Sequence, residues 1–82
     1  MMFIGIDISK EKIDLSWLRD QLTNKIKTKV FKNKHQDFEK IEKWLLNTTK
    51  SVASELVITL EPTGVYHEAL MYFLHEQGFN II

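Results

Sequence analysis

The sequence predicts an α/β fold in which helices pack on a mixed sheet. The first observation is periodicity: apolar residues alternate with polar ones early in the chain, as in strands, and later recur at three- and four-residue spacing, as in helices. The second is the order of these segments, which is βββαβαβ. Because crossover connections between parallel strands are right-handed, this order predicts that the last two strands run parallel to the first.

Three strands are predicted in the first 30 residues. The apolar run Met2–Ile8 gives the first strand, and residues 13–18 alternate after a polar stretch of turn length, which is typical of a β-hairpin. Residues 19–24 are polar and indicate a loop. Residues 25–30 alternate again and place three lysines on one face, so we expect a third, antiparallel strand.

A helix and a buried strand are predicted next. From about Asp37 the apolar residues recur at helical spacing on an otherwise charged segment; they are Phe38, Ile41, Trp44 and Leu45. Residues 47–54 are polar and indicate a connection. Residues 55–60 form a short, nearly unbroken apolar run of the kind found in parallel strands buried on both faces. We therefore expect this strand in the middle of the sheet.

The remaining residues predict a second helix and a last strand. Residues 62–64 are Pro-Thr-Gly, which breaks the preceding strand and starts a helix that Gly78 closes at a C-cap position. The apolar stripe of this helix consists of Tyr66, Ala69, Leu70, Phe73 and Leu74. Residues 79–82 begin another strand. The complete order is that of a ribonuclease-H-like core, and we expect it to be truncated at the C-terminal end because the chain stops within this strand.

Length and composition indicate one globular domain over residues 1–82. Hydrophobic residues make up 44% and charged residues 27% of the chain, which is not the composition of a disordered tail. The absence of Cys excludes disulfides and thiolate metal sites. The sequence has no signal-peptide pattern and no long apolar run, so we expect a cytoplasmic protein without membrane contact.

The net charge is zero, but the charges are unevenly distributed. Residues 1–34 contain eight Lys/Arg against four Asp/Glu, whereas residues 35–82 contain three against seven. A neutral total argues against a free-standing DNA-binding domain driven by electrostatics. The uneven distribution still permits a nucleic-acid-binding face.

Two acidic residues, Asp7 and Glu61, stand where the first strand and the 55–60 strand end. If these strands are parallel neighbours, about 5 Å apart, both carboxylates open into one crevice at the carboxyl ends of the strands. Mg²⁺ prefers oxygen ligands and takes one or two protein carboxylates. A two-metal site would need more carboxylates than these. The alternative is that both are solvated residues at strand ends.

Other acidic residues and the histidines are weaker candidates. We expect four further carboxylates to be solvated, namely those of Asp14, Asp20, Asp37 and Glu68. The three histidines lack zinc-type spacing, so no metal role is predicted for them.

Several residues are candidates for contacts with nucleic acid. The lysine run, Lys25, Lys27, Lys29, Lys32 and Lys34, contains no acidic residue. It either contacts phosphates or protects an exposed edge strand from aggregation. Lys10 either meets a phosphate or belongs to a simple hairpin turn. Thr63 and Gly64 either present backbone N–H groups to a phosphate at the start of the second helix or form an ordinary cap.

The residues around the two carboxylates resemble a known family. The matching segments are Gly5-Ile6-Asp7-Ile8-Ser9-Lys10, a strand with Asp14-Leu15, and Glu61-Pro62-Thr63-Gly64-Val65-Tyr66-His67 ahead of an amphipathic helix. Together they resemble the N-terminal part of the DEDD transposases of insertion sequences, the group that includes the pilin-gene-inverting recombinase. The resemblance spans essentially the whole chain.

The resemblance implies an N-terminal RuvC-like transposase domain, incomplete over residues 1–82. It places the first acidic ligand of the family on Asp7 and the second on Glu61, with Mg²⁺ or Mn²⁺ as the metal. The last two aspartates of the family, and a C-terminal domain with a nucleophilic serine, would lie beyond Ile82. The implied partners are DNA, as insertion-sequence ends and target, and a guide RNA. We expect the fragment alone to be inactive in transposition and to bind metal weakly at most.

Two other functions fit parts of the same pattern. Actin-like and sugar-kinase-like ATPases share this strand order and open with a Gly-Ile-Asp strand, but residues 8–12 lack the Gly that their phosphate hairpin normally carries. A non-catalytic remnant that only self-associates is the other alternative. The sheet edge at residues 79–82 would favour pairing with a second copy and a homo-oligomer.

Overall fold

The computed structural model describes residues 2–20, 25–61 and 65–82. The strands are β1 (Met2–Ile8), β2 (Lys12–Asp20), β3 (Lys25–Lys32), β4 (Leu56–Glu61) and β5 (Asn80–Ile81). The α-helices are α1 (His35–Thr49) and α2 (Glu68–Glu76), and a single 3₁₀ turn, Ala53–Glu55, precedes β4. In the described ranges the elements therefore follow one another as βββαβαβ.

The five strands form one mixed sheet in the spatial order β3-β2-β1-β4-β5. The hairpin partners β1 and β2 are antiparallel, as are β2 and β3, whereas β1 pairs with β4, and β4 with β5, in parallel. The expectation that residues 55–60 form the middle strand is wrong. In this order the third of the five positions belongs to β1. Strand β4 is the next one along, between β1 and β5.

Strand alternation divides the sheet into two faces. On β1 the buried residues are Ile4, Ile6 and Ile8, and their partners on β2 are Trp17, Leu15 and Ile13. We call this the inner face. The outer face carries Phe3, Gly5 and Asp7, since successive side chains point to opposite sides of a strand.

Both helices cover the inner face. Helix α1 contributes Phe38, Ile41 and Leu45, helix α2 contributes Leu70 and Leu74, and all five belong to one hydrophobic cluster with the inner-face isoleucines. Because both helices bury their apolar side chains there, the outer face is left open in the described part of the chain. Phe3 is 56% and Ile26 58% exposed on this face, whereas Val57, the partner of Phe3 on β4, is only 6% exposed.

Helix α1 is longer than the periodicity predicts. It runs to Thr49, three residues into the segment expected to be a connection. The Thr49 hydroxyl is buried at no cost in hydrogen bonding, since it donates to the carbonyl of Leu45 at 2.7 Å. Lys50, in the left-handed region with φ of 52°, then ends the helix.

Helix α2 begins at Glu68, after a turn over residues 65–67. The predicted packing of Tyr66 is therefore wrong: this side chain is 43% exposed because it lies in the turn and not on the helix. Ala69 is exposed as well. The predicted end is confirmed, as Gly78 has a φ of 93° just past the helix. Neither helix of the described ranges is both long and apolar enough to cross a bilayer.

Candidate metal site

Residues on the outer face of the sheet are sorted into three rows that run across the strands. An apolar row contains Phe3, Leu18 and Ile26. A row of small residues contains Thr59, Gly5, Ser16 and Thr28, and an acidic row contains Glu61, Asp7 and Asp14. Cross-strand partners share a face of the sheet, so the residues in one row are neighbours.

The acidic row is centred on Asp7. Its partner on the parallel strand β4 is Glu61, and its partner on the antiparallel strand β2 is Asp14. Adjacent strands lie about 4.8 Å apart, so each neighbouring carboxylate is within reach of an ion bound at Asp7. Asp7 and Glu61 are both exposed to solvent. The structure thus places the two sequence-predicted carboxylates side by side at the carboxyl ends of their strands.

Sequence reasoning missed the position of Asp14. It was expected to be a solvated residue within the second strand, but its side chain is only 40% exposed and lines the same groove as Asp7. The signal was present in the hairpin. A turn over residues 9–12 pairs Ile8 with Ile13, and this register places Asp14 opposite Asp7.

The acidic row lies in an open groove of about 450 Å³. Its floor is formed by the small residues, among them Gly5, Ser16 and Thr59. A Cβ atom on Gly5 would lie 3.1 Å from the Ser16 hydroxyl oxygen, closer than ordinary van der Waals contact. The lack of a side chain at Gly5 therefore keeps the floor of the groove low beside the carboxylates.

Two lysines border the acidic row. Lys12 and Lys32 are direct cross-strand partners, one step along β2 and β3 from the acidic row on the same face. The Lys12 ammonium Nζ lies 3.9 Å from Asp14 Oδ2. Lysine ammonium groups attract phosphate as well as carboxylate. Positive charge therefore lies beside the acidic row on the outer face of the sheet.

The chemistry of these side chains fits a hard divalent cation. Carboxylate oxygens are the ligands that Mg²⁺ prefers, and it keeps several waters beyond one or two of them. Within residues 2–20, 25–61 and 65–82, no three His, Cys, Asp or Glu side chains converge as a metal-binding group. Asp14 and Glu61 flank Asp7 from opposite sides, about 10 Å apart by strand spacing. The row offers two adjacent ligands at a time and not a closed cage.

Three of the lysines predicted to contact nucleic acid, Lys25, Lys27 and Lys29, lie on the other face of the sheet. Lys27 pairs with Trp17 and Lys29 with Leu15, both inner-face residues, so these lysines and Lys25 project on the side opposite the acidic row. The Lys29 Nζ lies 6.0 Å from the centroid of the Phe31 ring, which is on the same side of the sheet. All three are exposed.

Lys10 is exposed in the turn after β1, next to the end of the strand that carries Asp7. Thr63 and Gly64 lie outside the described residues, and the described helix begins at Glu68, four residues after Gly64. Among the other acidic candidates, Asp37 accepts a hydrogen bond from the Lys32 backbone N–H at 3.1 Å and lies 3.7 Å from Lys40 Nζ. Asp37 is therefore already engaged near the start of α1.

The histidines line a different groove. His67 and His75 face a groove of about 400 Å³ with Tyr72 and Ile82, between α2 and the last strands. The His67 Nδ1 atom is buried without a hydrogen-bond partner among the described atoms. His35 instead packs edge-on against Phe38, with ring centroids 5.2 Å apart.

A five-stranded mixed sheet with two helices and two carboxylates at neighbouring strand ends defines an α/β protein compatible with a ribonuclease-H-like fold. Comparison with protein families is more specific. The model of the IS110-type DEDD transposases, described as Transposase, matches residues 4–82. The chain belongs to this transposase family. No curated protein matches it.

Proposed function

We propose that this chain is the N-terminal, RuvC-like domain of a DEDD transposase, in which Asp7 and Glu61 are two acidic ligands of a divalent metal. The single observation that carries the proposal is the parallel pairing of these residues on β1 and β4 at the rim of one groove. Family membership supplies the reaction class, which is phosphodiester exchange in DNA. The same strand order occurs in actin-like ATPases, so the family match is what favours transposition.

The residues of the groove have distinct roles in this proposal. Bound Mg²⁺ would polarise a phosphodiester and stabilise the attacking and leaving oxygens. Asp7 and Glu61 would hold the ion at the strand ends, and Asp14 would add negative potential beside them. Gly5 would leave space for the phosphate backbone above the floor, because a side chain there would contact Ser16.

Two carboxylates are fewer than a two-metal site needs. In the described ranges no third ligand converges with them, so we propose that further acidic residues of the full transposase complete the site. Residues 1–82 alone would then bind metal weakly and would not cleave DNA. Mn²⁺ would replace Mg²⁺, since both accept carboxylate and water ligands.

The test is a Mn²⁺ titration followed by electron paramagnetic resonance, in which bound ion loses the sharp signal of free Mn²⁺. Wild type is compared with Asp7→Asn and Glu61→Gln, and with Glu39→Gln, an exposed carboxylate on α1, as the matched control. We expect both groove variants to lose binding and the control to keep it. Equal binding by all four proteins would reject the proposed site, and no binding by wild type would leave Asp7 and Glu61 without a metal role in residues 1–82.

DNA is the proposed partner, with a guide RNA as a second nucleic acid of the full transposase. Lys10 lies near the end of β1 and would meet a phosphate at the groove. The inner-face lysines are on the opposite side of the sheet, so they would contact a different stretch of nucleic acid from the one held at Asp7.

The lysine contacts predict the salt dependence of DNA binding. Each phosphate contact contributes about 0.9 to the slope of log affinity against log salt. Replacing the three inner-face lysines, Lys25, Lys27 and Lys29, by Gln should therefore reduce the slope by about 2 to 3. The matched control replaces three lysines on or just after α1, namely Lys40, Lys43 and Lys50. If both triple variants keep the wild-type slope, the inner-face lysines only protect the edge of the sheet.

A further inference from the structure

One side chain connects the two turns that follow the acidic strands. Asn33 lies between β3 and α1, and its amide Nδ2 donates to the Ser9 carbonyl at 2.9 Å and to the Tyr66 carbonyl at 3.2 Å. Ser9 is two residues after Asp7, and Tyr66 is five residues after Glu61. The amide therefore bridges the turn after β1 and the turn after β4.

The chemistry of Asn33 suits this bridge. A carboxamide NH₂ has two hydrogens, and the structure gives each an acceptor from a different turn. The backbone N–H of Asn33 donates to the Glu11 carbonyl at 2.9 Å, which fixes the residue to the first turn a second time. Asn33 is half-buried, so water competes less for these bonds than at an exposed site.

The bridge lies just beyond the described end of the ladder that pairs the carboxylates. Among the described residues, Asp7 and Glu61 form the last pair of the β1–β4 ladder. Ends of paired elements fray unless other bonds hold them. The three bonds of Asn33 join the chain beyond both strand ends and restrain them.

We propose that Asn33 is a positioning residue that keeps Asp7 and Glu61 at the separation needed to share one divalent ion. The claim that the two carboxylates share an ion rests on the proposed function. The claim that Asn33 fixes the distance between the two turns does not. Asn33 itself would not touch the metal or the DNA. It acts through the backbone of the two turns.

Asn80 provides a matched control. Its Nδ2 also donates to a carbonyl distant in sequence, that of Ser54 at 2.8 Å, but it joins β5 to the 3₁₀ turn and not the groove. Asn33→Asp and Asn80→Asp each remove the amide donor, keep the side-chain shape and add one negative charge. Asn33→Ser keeps a single donor and serves as the second variant if Asn33→Asp does not fold.

The first experiment measures the separation of the turns without metal. The chain has no cysteine, so Glu11→Cys and Val65→Cys introduce two unique, exposed spin-label sites. Pulsed electron paramagnetic resonance should give a narrow distance distribution in the wild-type background and a broader one with Asn33→Asp or Asn33→Ser. The distribution should stay narrow with Asn80→Asp. An unchanged width with both Asn33 variants would overturn the proposal.

The second experiment measures Mn²⁺ affinity in the same variants without labels. Removing a hydrogen bond to a metal ligand typically weakens binding about 10–100-fold. Because Asn33 acts through the backbone of the turns, we expect a loss near the lower end, about 10-fold, for Asn33→Asp and none for Asn80→Asp. The added negative charge alone would strengthen binding, so electrostatics cannot produce the expected loss. A broader spin-label distance distribution with unchanged Mn²⁺ affinity would contradict the claim that Asn33 positions the two carboxylates. If wild type binds no Mn²⁺, the proposed metal site fails, and the distance measurement alone decides the role of Asn33.

Discussion

Replacing Asp7 by Asn should stabilise the metal-free protein. Asp7 has a carboxylate on each side, Glu61 on β4 and Asp14 on β2, and like charges directly opposite on neighbouring strands are destabilising. Each such contact costs about 0.2–1 kcal/mol. The charge of Asp14 is partly compensated by Lys12, and Asp7 is exposed, so we expect a total gain in unfolding free energy of about 0.5–1 kcal/mol.

The assay is thermal unfolding followed by circular dichroism in a chelator at low salt. For a domain of this size, the expected gain raises the Tm by about 2–8 °C. In 1 M NaCl the screening length falls to about 3 Å, so most of the gain should disappear. Divalent ion should reverse the order of stability: at ten times its Kd it adds about 1.4 kcal/mol to wild type and nothing to Asp7→Asn.

Asp37→Asn is the control, because it should change the free energy of unfolding in the opposite direction. Its carboxylate accepts a hydrogen bond from the Lys32 N–H and lies near Lys40 in the first turn of α1, so its loss should lower stability by about 0.3–1 kcal/mol. If Asp7→Asn proves less stable than wild type in the chelator, the carboxylates do not repel one another and the acidic row is not assembled as described.

Three further predictions concern the core, the end of α2 and the third carboxylate of the groove. Leu74→Ala should cost about 2–5 kcal/mol in chemical denaturation, because the side chain is fully buried; a cost below 1 kcal/mol would contradict its position. Gly78→Ala should cost about 1 kcal/mol in the same assay, because Gly78 has a positive φ, and a neutral result would place the end of α2 elsewhere. Asp14→Asn should weaken Mn²⁺ binding, but less than Asp7→Asn, because Asp14 adds potential beside the ion; an equal or larger loss would make Asp14 a ligand itself.

Much of the fold follows from patterns that depend on one element at a time. The alternation of Ile4, Ile6 and Ile8 specifies both the strand and its buried face, and the right-handed crossover rule correctly predicts that β4 is parallel to β1. The adjacency of Asp7 and Glu61 requires in addition that β1 and β4 are neighbours, which the structure shows. Their role as metal ligands stays a prediction.

Features that depend on contacts between elements could not be predicted from the sequence. The start of α2 was misjudged because the apolar spacing of Tyr66 extends into a turn that is not helical. The position of β4 beside the middle strand depends on pairings that a continuous apolar run does not specify. Asn33 carries no sequence signal, since its bonds join turns 24 and 33 residues away along the chain.

The most direct test of the metal site is paramagnetic broadening of backbone amide signals by Mn²⁺ in an NMR spectrum of the ¹⁵N-labelled chain. We expect the amides around Asp7 and Glu61 to broaden first and together, because one ion would lie between the ends of β1 and β4. Broadening that begins near His67 and His75, or that reaches Asp7 without Glu61, would contradict a shared site.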